Sequence, residues 1–184
     1  MILKVARIGH PVIRATAREV PADKVRSSEF QRLLDDMVET MHEYDGVGLA
    51  GPQVHVGLRV AVLEVPPADD RAREPVPLMA IVNPTLTPIG EETVPGWEGC
   101  LSVPDLRGIV PRHRRVRLTA LDRNGERLEL EAEGFFARVL QHECDHLDGR
   151  VYLDRMDGLR SLSFLREWQR YHRQHAGDDA EDDD

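Results

Sequence analysis

Two histidines four residues apart, with a glutamate after the first, are the residues of this chain best suited to chemistry. They lie in His142-Glu143-Cys144-Asp145-His146, the pattern H-E-x-x-H. On a helix, residues four apart sit about 40° apart around the axis, so both imidazoles can reach one ion. Glu143, about 100° from His142, is close enough to act as base toward a water held there. A plain surface helix with scattered His and Glu is the competing reading. Two imidazoles leave a zinc-like site short of one protein ligand. Cys100, in Gly96-Trp97-Glu98-Gly99-Cys100-Leu101-Ser102, offers a thiolate as a natural third donor. Taken alone, a cysteine is more simply a small buried hydrophobe. Cys144 falls about 200° from His142 and is assigned to packing.

A third segment, Gly46-Val47-Gly48-Leu49-Ala50-Gly51-Pro52-Gln53, reads as a loop whose glycines bring backbone close to something. No Lys-Ser/Thr follows the glycines, which argues against a phosphate loop. Gln53 could offer an amide N–H to a developing oxyanion, or could simply be solvated.

The elements that must position these residues follow from periodicity. Residues 1–24 read as a mostly irregular lead-in. Ser28 and Gln31 fit a capping box. Phe30, Leu33, Leu34, Met37, Val38 and Met41 then recur at helical spacing, predicting a helix over Ser28 to Glu43. Short strands are expected at Leu58 to Val65, Met79 to Asn83 (Pro84 restricting its continuation), Val116 to Leu121 and Arg127 to Glu131. Arg123-Asn124-Gly125 carries a hairpin signal between the last two. A second helix runs from Gly134 to Leu147 and stops at Asp148-Gly149. A last helical segment covers Leu159 to His175. Helix, strands, then helix predict an α+β fold in a single domain.

At 184 residues the chain is one domain, and 41% hydrophobic with 31% charged residues is ordinary for a soluble protein. No stretch approaches the ~20 apolar residues of a membrane span, so no membrane partner is expected. The N-terminal residues lack a secretory pattern. Two cysteines, Cys100 and Cys144, cannot build a disulfide framework and fit a reducing cytoplasm. The net charge of −9 argues against DNA and against non-specific nucleic-acid coating. Six acids in Asp178 to Asp184 account for much of it, leaving −3 for the rest. Residues 177–184 are therefore expected to be a disordered acidic tail behind a domain of residues 1–176.

In this order the three segments resemble peptide deformylase, a family that carries G-x-G-L-A-A-x-Q, E-G-C-L-S and Q-H-E-x-D-H. Here they read Gly46 to Gln53, Glu98 to Ser102 and Gln141 to His146, and the likeness runs from Pro11-Val12-Ile13-Arg14 to the last helix. Gly51 departs from the usual Ala or Ser, and Cys144 from a common Met. The resemblance implies small antiparallel or mixed sheets packed around a central metal-binding helix, and a metallohydrolase that removes the formyl group from the N-terminal formyl-methionine of new bacterial or organellar proteins and releases formate. It implies Cys100, His142 and His146 as metal ligands, Glu143 as general base and acid, and Gln53 with the Leu101 backbone N–H as oxyanion donors. It implies Gly48 and Arg107 alongside the peptide backbone. The cofactor implied is one divalent ion, Fe(II) first, with Zn, Ni or Co possible.

Phe135 and Val139 lie seven and three residues before His142, on its helical face. With Val47 they could line a pocket for the methionine side chain, or be simple core residues. Asp145, Glu98 and Gln141 are candidates to orient the histidines. The other six histidines, His10, His42, His55, His113, His172 and His175, read as surface residues. Arg160, Arg166, Arg170 and Arg173 could give the last helix a transient contact with the ribosome. The plainer reading is a solvated helix packed by Leu159, Leu162, Phe164, Leu165 and Trp168. Two rivals remain: an H-E-x-x-H protease, which the upstream Cys100 and Gln53 disfavour, and a non-catalytic descendant of the enzyme, which the full set of expected catalytic residues disfavours.

Overall fold

Alternation along one central strand builds the core. The computed structural model describes residues 1–67 and 74–173. In β2 (Val60–Val65), Val60 and Val62 pack on one face, and Ala61, Leu63 and Val65 on the other. A strand apolar on both sides must be covered on both sides. The first face receives α2 (Ser28–Glu43) through Phe30, Leu34, Met37 and Met41. The second receives α3 (Gly134–Leu147) through Ala137, Val139, Leu140 and Leu147. The predicted bounds of both helices hold. The cap does not: Ser27, not Ser28, accepts from the Phe30 N–H, and Gln31 reaches the Val25 and Arg123 carbonyls instead. One further short helix, α1 (Ala22–Val25), precedes α2.

The sheet is antiparallel, ordered β1-β2-β3-β6-β7, with β1 (Gly48–Ala50), β3 (Val76–Pro88), β6 (Arg115–Leu121) and β7 (Arg127–Glu133). Two expectations change here. The glycine segment is not all loop: Gly48 to Ala50 pair with Leu63 to Ala61 as an edge strand, and Gly51 to Val54 form a single 3-10 turn. The strand expected to end at Asn83 continues to Pro88. Asn83 takes φ 51° at a register shift, and its side chain bonds both backbone groups of Val20. That bulge lets the strand pass Pro84.

A second antiparallel sheet orders β4 (Thr93–Cys100), β5 (Val103–His113) and β8 (Ser163–Phe164). The sequence gives little sign of it, because Pro95, Gly96, Gly99, Pro104, Gly108 and Pro111 interrupt the apolar pattern. The last helix is shorter than predicted: α4 spans Leu165–Tyr171, and Ser163 and Phe164 pair with β5 instead. None of its residues is fully buried, but Leu162, Leu165 and Trp168 are partly buried as expected, with Trp168 against Trp97, whereas Leu159 and Phe164 are exposed. The tail of residues 177–184 and His175 lie outside the described residues. Helix α3 touches strands of both sheets, which makes it the central helix of an α+β domain.

Candidate active site

The tight end of the β4–β5 hairpin delivers Cys100 to α3. Cys100 pairs with Val103 across the turn, and the register slips between Glu98 and Cys100. His142 and His146 lie one turn apart on α3, ring centroids 5.0 Å apart at 77°. Cys100 Sγ is 3.2 Å from His146 Nε2. One ligand atom from each of Cys100, His142 and His146 lies within 4.8 Å of the others, so the three form a possible metal site. A thiolate and two imidazoles suit a borderline transition metal. Burial pushes the Cys100 thiol up, but His146 and His142 outweigh it and hold it well below the usual thiol range. Burial likewise pulls His142 down, while Cys100 and Glu98 carry it well above an ordinary imidazole. A proton held between a thiolate and two imidazoles is one that a bound cation can displace.

Glu143 is 3% exposed, and among the described residues its Oε2 has no hydrogen-bond partner. Burial raises its pKa against the pull of both histidines. Gly48, on β1, makes room for it, since a Cβ there would stand 2.3 Å from Glu143 Oε1. Gln53 is fixed by its own chain: its Oε1 accepts from the Ala50 N–H at 2.9 Å. That turns Nε2 toward Cys100 Sγ at 3.5 Å and Ser102 Oγ at 3.3 Å. Leu101 follows Cys100 at the hairpin tip, with its side chain against Gly46.

Of the three candidates to orient the histidines, Glu98 does so. His142 Nδ1 lies 2.9 Å from Glu98 Oε2. Burial pushes the Glu98 carboxyl up, but hydrogen bonds from His142 and Arg112 hold it well below the usual carboxylate range. Asp145 instead takes Arg112 and Arg155. Gln141 bonds the backbone of His113 and Ala137. Arg112, 5% exposed and bidentate on Glu98 at 2.9 and 3.0 Å, was invisible in the sequence. So was Arg138 on α3, which donates to Glu98 Oε1 at 2.8 Å. Their only signal is position: Arg112 shares the buried register of Val110 on β5, and Arg138 precedes His142 by one helical turn.

Cys144 packs as expected, its thiol pushed up to about 12 by burial. Val139 is buried in the cluster against which Val47 and Phe135 pack, so the three expected pocket residues share one apolar region. Arg107 is partly buried rather than solvated: its guanidinium occupies the space a Cβ on Gly99 would take and lies 5.9 Å from the Trp168 ring centroid. Trp97 packs as expected, against Trp168 and His172. His113 is an exception among the surface histidines, partly buried with an unpartnered Nδ1.

A family model described as Polypeptide deformylase matches residues 2–161. The chain belongs to the peptide deformylase family. Peptide deformylase 1 of Bordetella pertussis is 44% identical over 165 residues, 89% of this chain and 93% of its own. Peptide deformylase 2 of Pseudomonas syringae is 41% identical over 166 residues, 90% of this chain and 93% of its own. Among solved structures, the Met-Ala-Ser-bound class I type b peptide deformylase of Acinetobacter baumannii superposes with a TM-score of 0.80 at 37% identity, covering 85% of this chain and 99% of that one. The peptide deformylase reaction is this chain's activity: hydrolytic removal of the formyl group from the N-terminal formyl-methionine of newly made proteins.

Proposed function

We propose that Cys100, His142 and His146 hold one divalent ion, iron(II) in preference to zinc, nickel or cobalt, and that Glu143 is the proton carrier of the reaction. The observation that carries this reading is the convergence of the three donor atoms within 4.8 Å beside an unpartnered, buried Glu143 oxygen. The ion, when bound, supplies Lewis acidity, which makes water a usable nucleophile near neutral pH. Glu143 takes the proton of the attacking water. Burial raises its pKa, the direction required of a carboxylate that must both accept and return a proton. Gln53 Nε2–H and the Leu101 N–H steady the negative charge that develops on the formyl oxygen. Glu143 then delivers the proton to the amine as the C–N bond breaks, leaving formate and a free amino terminus.

In the same reading Gly48, Val47 and Arg107 flank the peptide, and Val47, Phe135 and Val139 receive the methionine side chain. Residues 1–176 are the catalytic domain, and the place of action is the bacterial cytoplasm. The two free cysteines suit a reducing compartment, and no helix among the described residues is long and apolar enough to cross a membrane. Nascent chains are the macromolecular substrate, and the arginines of the C-terminal segment would make any contact with the ribosome brief and salt-sensitive.

The test is formate release from formyl-Met-Ala-Ser by protein reconstituted anaerobically with Fe(II), Zn, Ni or Co, with bound metal measured in parallel. One ion per chain and fastest turnover with air-sensitive Fe(II) are expected. A Cys100→Ser protein that binds metal as the parent does would overturn the ligand assignment.

A further inference from the structure

We propose that Arg138 is a positioning residue for the metal centre, and that Gly96 exists to let it act. The inference rests on the reading that Cys100, His142 and His146 hold the ion. Arg138 stands on α3 one turn before His142, while Cys100 and Glu98 arrive on the separate β4–β5 hairpin. Something must fix the distance between helix and hairpin, because three donors from two elements form a site only at one separation.

Arg138 spans that gap with one guanidinium. Its Nη1 donates to Glu98 Oε1 at 2.8 Å, to the Val110 carbonyl at 2.8 Å and to the Gly96 carbonyl at 3.4 Å. Its Nη2 donates to the Val94 carbonyl at 2.7 Å. The acceptors lie on β4 and β5, and the Glu98 carboxylate is the one that meets His142. The side chain is 12% exposed, so these bonds work with little competition from water. A planar, five-donor group is suited to serve several acceptors at once, which a lysine cannot match.

The guanidinium fills the space beside Gly96. A Cβ at that position would be 2.7 Å from Arg138 Nη2 and 2.8 Å from Cζ. Gly96 does not carry a positive φ, so its backbone does not demand glycine. The need is space for Arg138. Glycine on β4 and arginine on α3 are therefore two halves of one device.

The experiment measures metal dissociation with a chromophoric chelator, the thiolate-to-cobalt absorption of Co(II)-loaded protein, and kcat and KM separately, for the parent, Arg138→Met, Arg138→Lys, Gly96→Ala and the Gly96→Ala/Arg138→Met pair. Loss of an outer group that orients a ligand typically weakens metal binding about 10- to 100-fold. Arg138→Met is expected to release metal faster by that factor, to shift the cobalt spectrum, and to lower kcat with KM nearly unchanged. Arg138→Lys is expected to recover part of the retention. Gly96→Ala is expected to reproduce the Arg138→Met signature, and the double variant to be no worse than Arg138→Met alone. Parent-like metal release and cobalt absorption in Arg138→Met, whatever its melting temperature, would overturn the proposal, as would full additivity in the pair. A parent that binds no metal would instead sink the ligand assignment beneath it.

Discussion

Gly48 and Glu143 are built against each other: a single added carbon on Gly48 would stand 2.3 Å from Glu143 Oε1 and 2.9 Å from its Cγ. The edge strand thus forms one wall of the slot in which the Glu143 carboxylate sits. Gly48→Ala must move that carboxylate, and a displacement near 1 Å costs about 100-fold in rate. The three metal donors are untouched. We expect kcat to fall on the order of 100-fold with metal content at parent level. Parent-like turnover would show that the carboxylate has room to spare.

Glu143→Gln keeps the shape and removes the carboxylate proposed to carry the proton. General acid–base catalysis contributes about 10²- to 10⁴-fold, so formate release should fall by that range. The donor set Cys100, His142 and His146 is intact, and bound metal should stay near one per chain. Rates near the parent's would assign the proton transfer elsewhere.

Much of this was legible because function concentrates in short segments. H-E-x-x-H needs only helical geometry, and α3 has the bounds its periodicity predicts. Glu98 was a candidate because it is near Cys100 in the sequence, and the structure shows why it serves: alternation on β4 puts both on the same side. The strands that carry Cys100 were not legible. Their prolines and glycines break the pattern, and the hairpin is held by partners distant in sequence, such as Arg138 at Glu98 and Ser163 at Arg107. Arg112 was equally hidden. Nothing local distinguishes a buried arginine from a solvated one until Glu98 and Asp145 are seen on either side of it.

The two thiols differ sharply in environment, and a thiol reagent can read the difference. Cys144 at about 12 stays protonated and buried at pH 8. Cys100, equally buried, is held well below the ordinary thiol range by His146 and His142, which favours its thiolate form. The thiolate is the reactive form. Metal-free protein should therefore lose one thiol to an alkylating reagent, and metal-loaded protein should lose neither on the same timescale. Labelling mapped to Cys144 first would contradict this account of both sites.

Phe135 is partly buried at the edge of the cluster that holds Val139, with Val47 packed against the same cluster. If these three receive the methionine side chain, Phe135→Ala enlarges the pocket. One methylene in an apolar pocket is worth about 1–3 kcal/mol of discrimination. Preference for formyl-Met over a shorter formyl-Ala peptide should drop by roughly 10-fold or more, through kcat/KM. An unchanged ratio would return Phe135 to the core.

Glu98 serves two ends, and its removal should be felt at both. It is 6% exposed and binds Arg112, Arg138 and His142 at once. Glu98→Ala leaves the buried Arg112 with Asp145 as its remaining carboxylate. Breaking a buried ion pair by deleting one partner costs about 3–5 kcal/mol. In a domain of this size that lowers the melting temperature by roughly 6–20 °C. Losing the group that orients His142 should also weaken metal binding about 10- to 100-fold. Glu98→Gln retains hydrogen-bonding capacity toward the arginines and His142 without the charge, so both losses should be smaller. Chemical denaturation and metal competition on the same samples separate the effects. A Glu98→Ala protein with the parent's denaturation midpoint would mean that Asp145 alone suffices to hold Arg112.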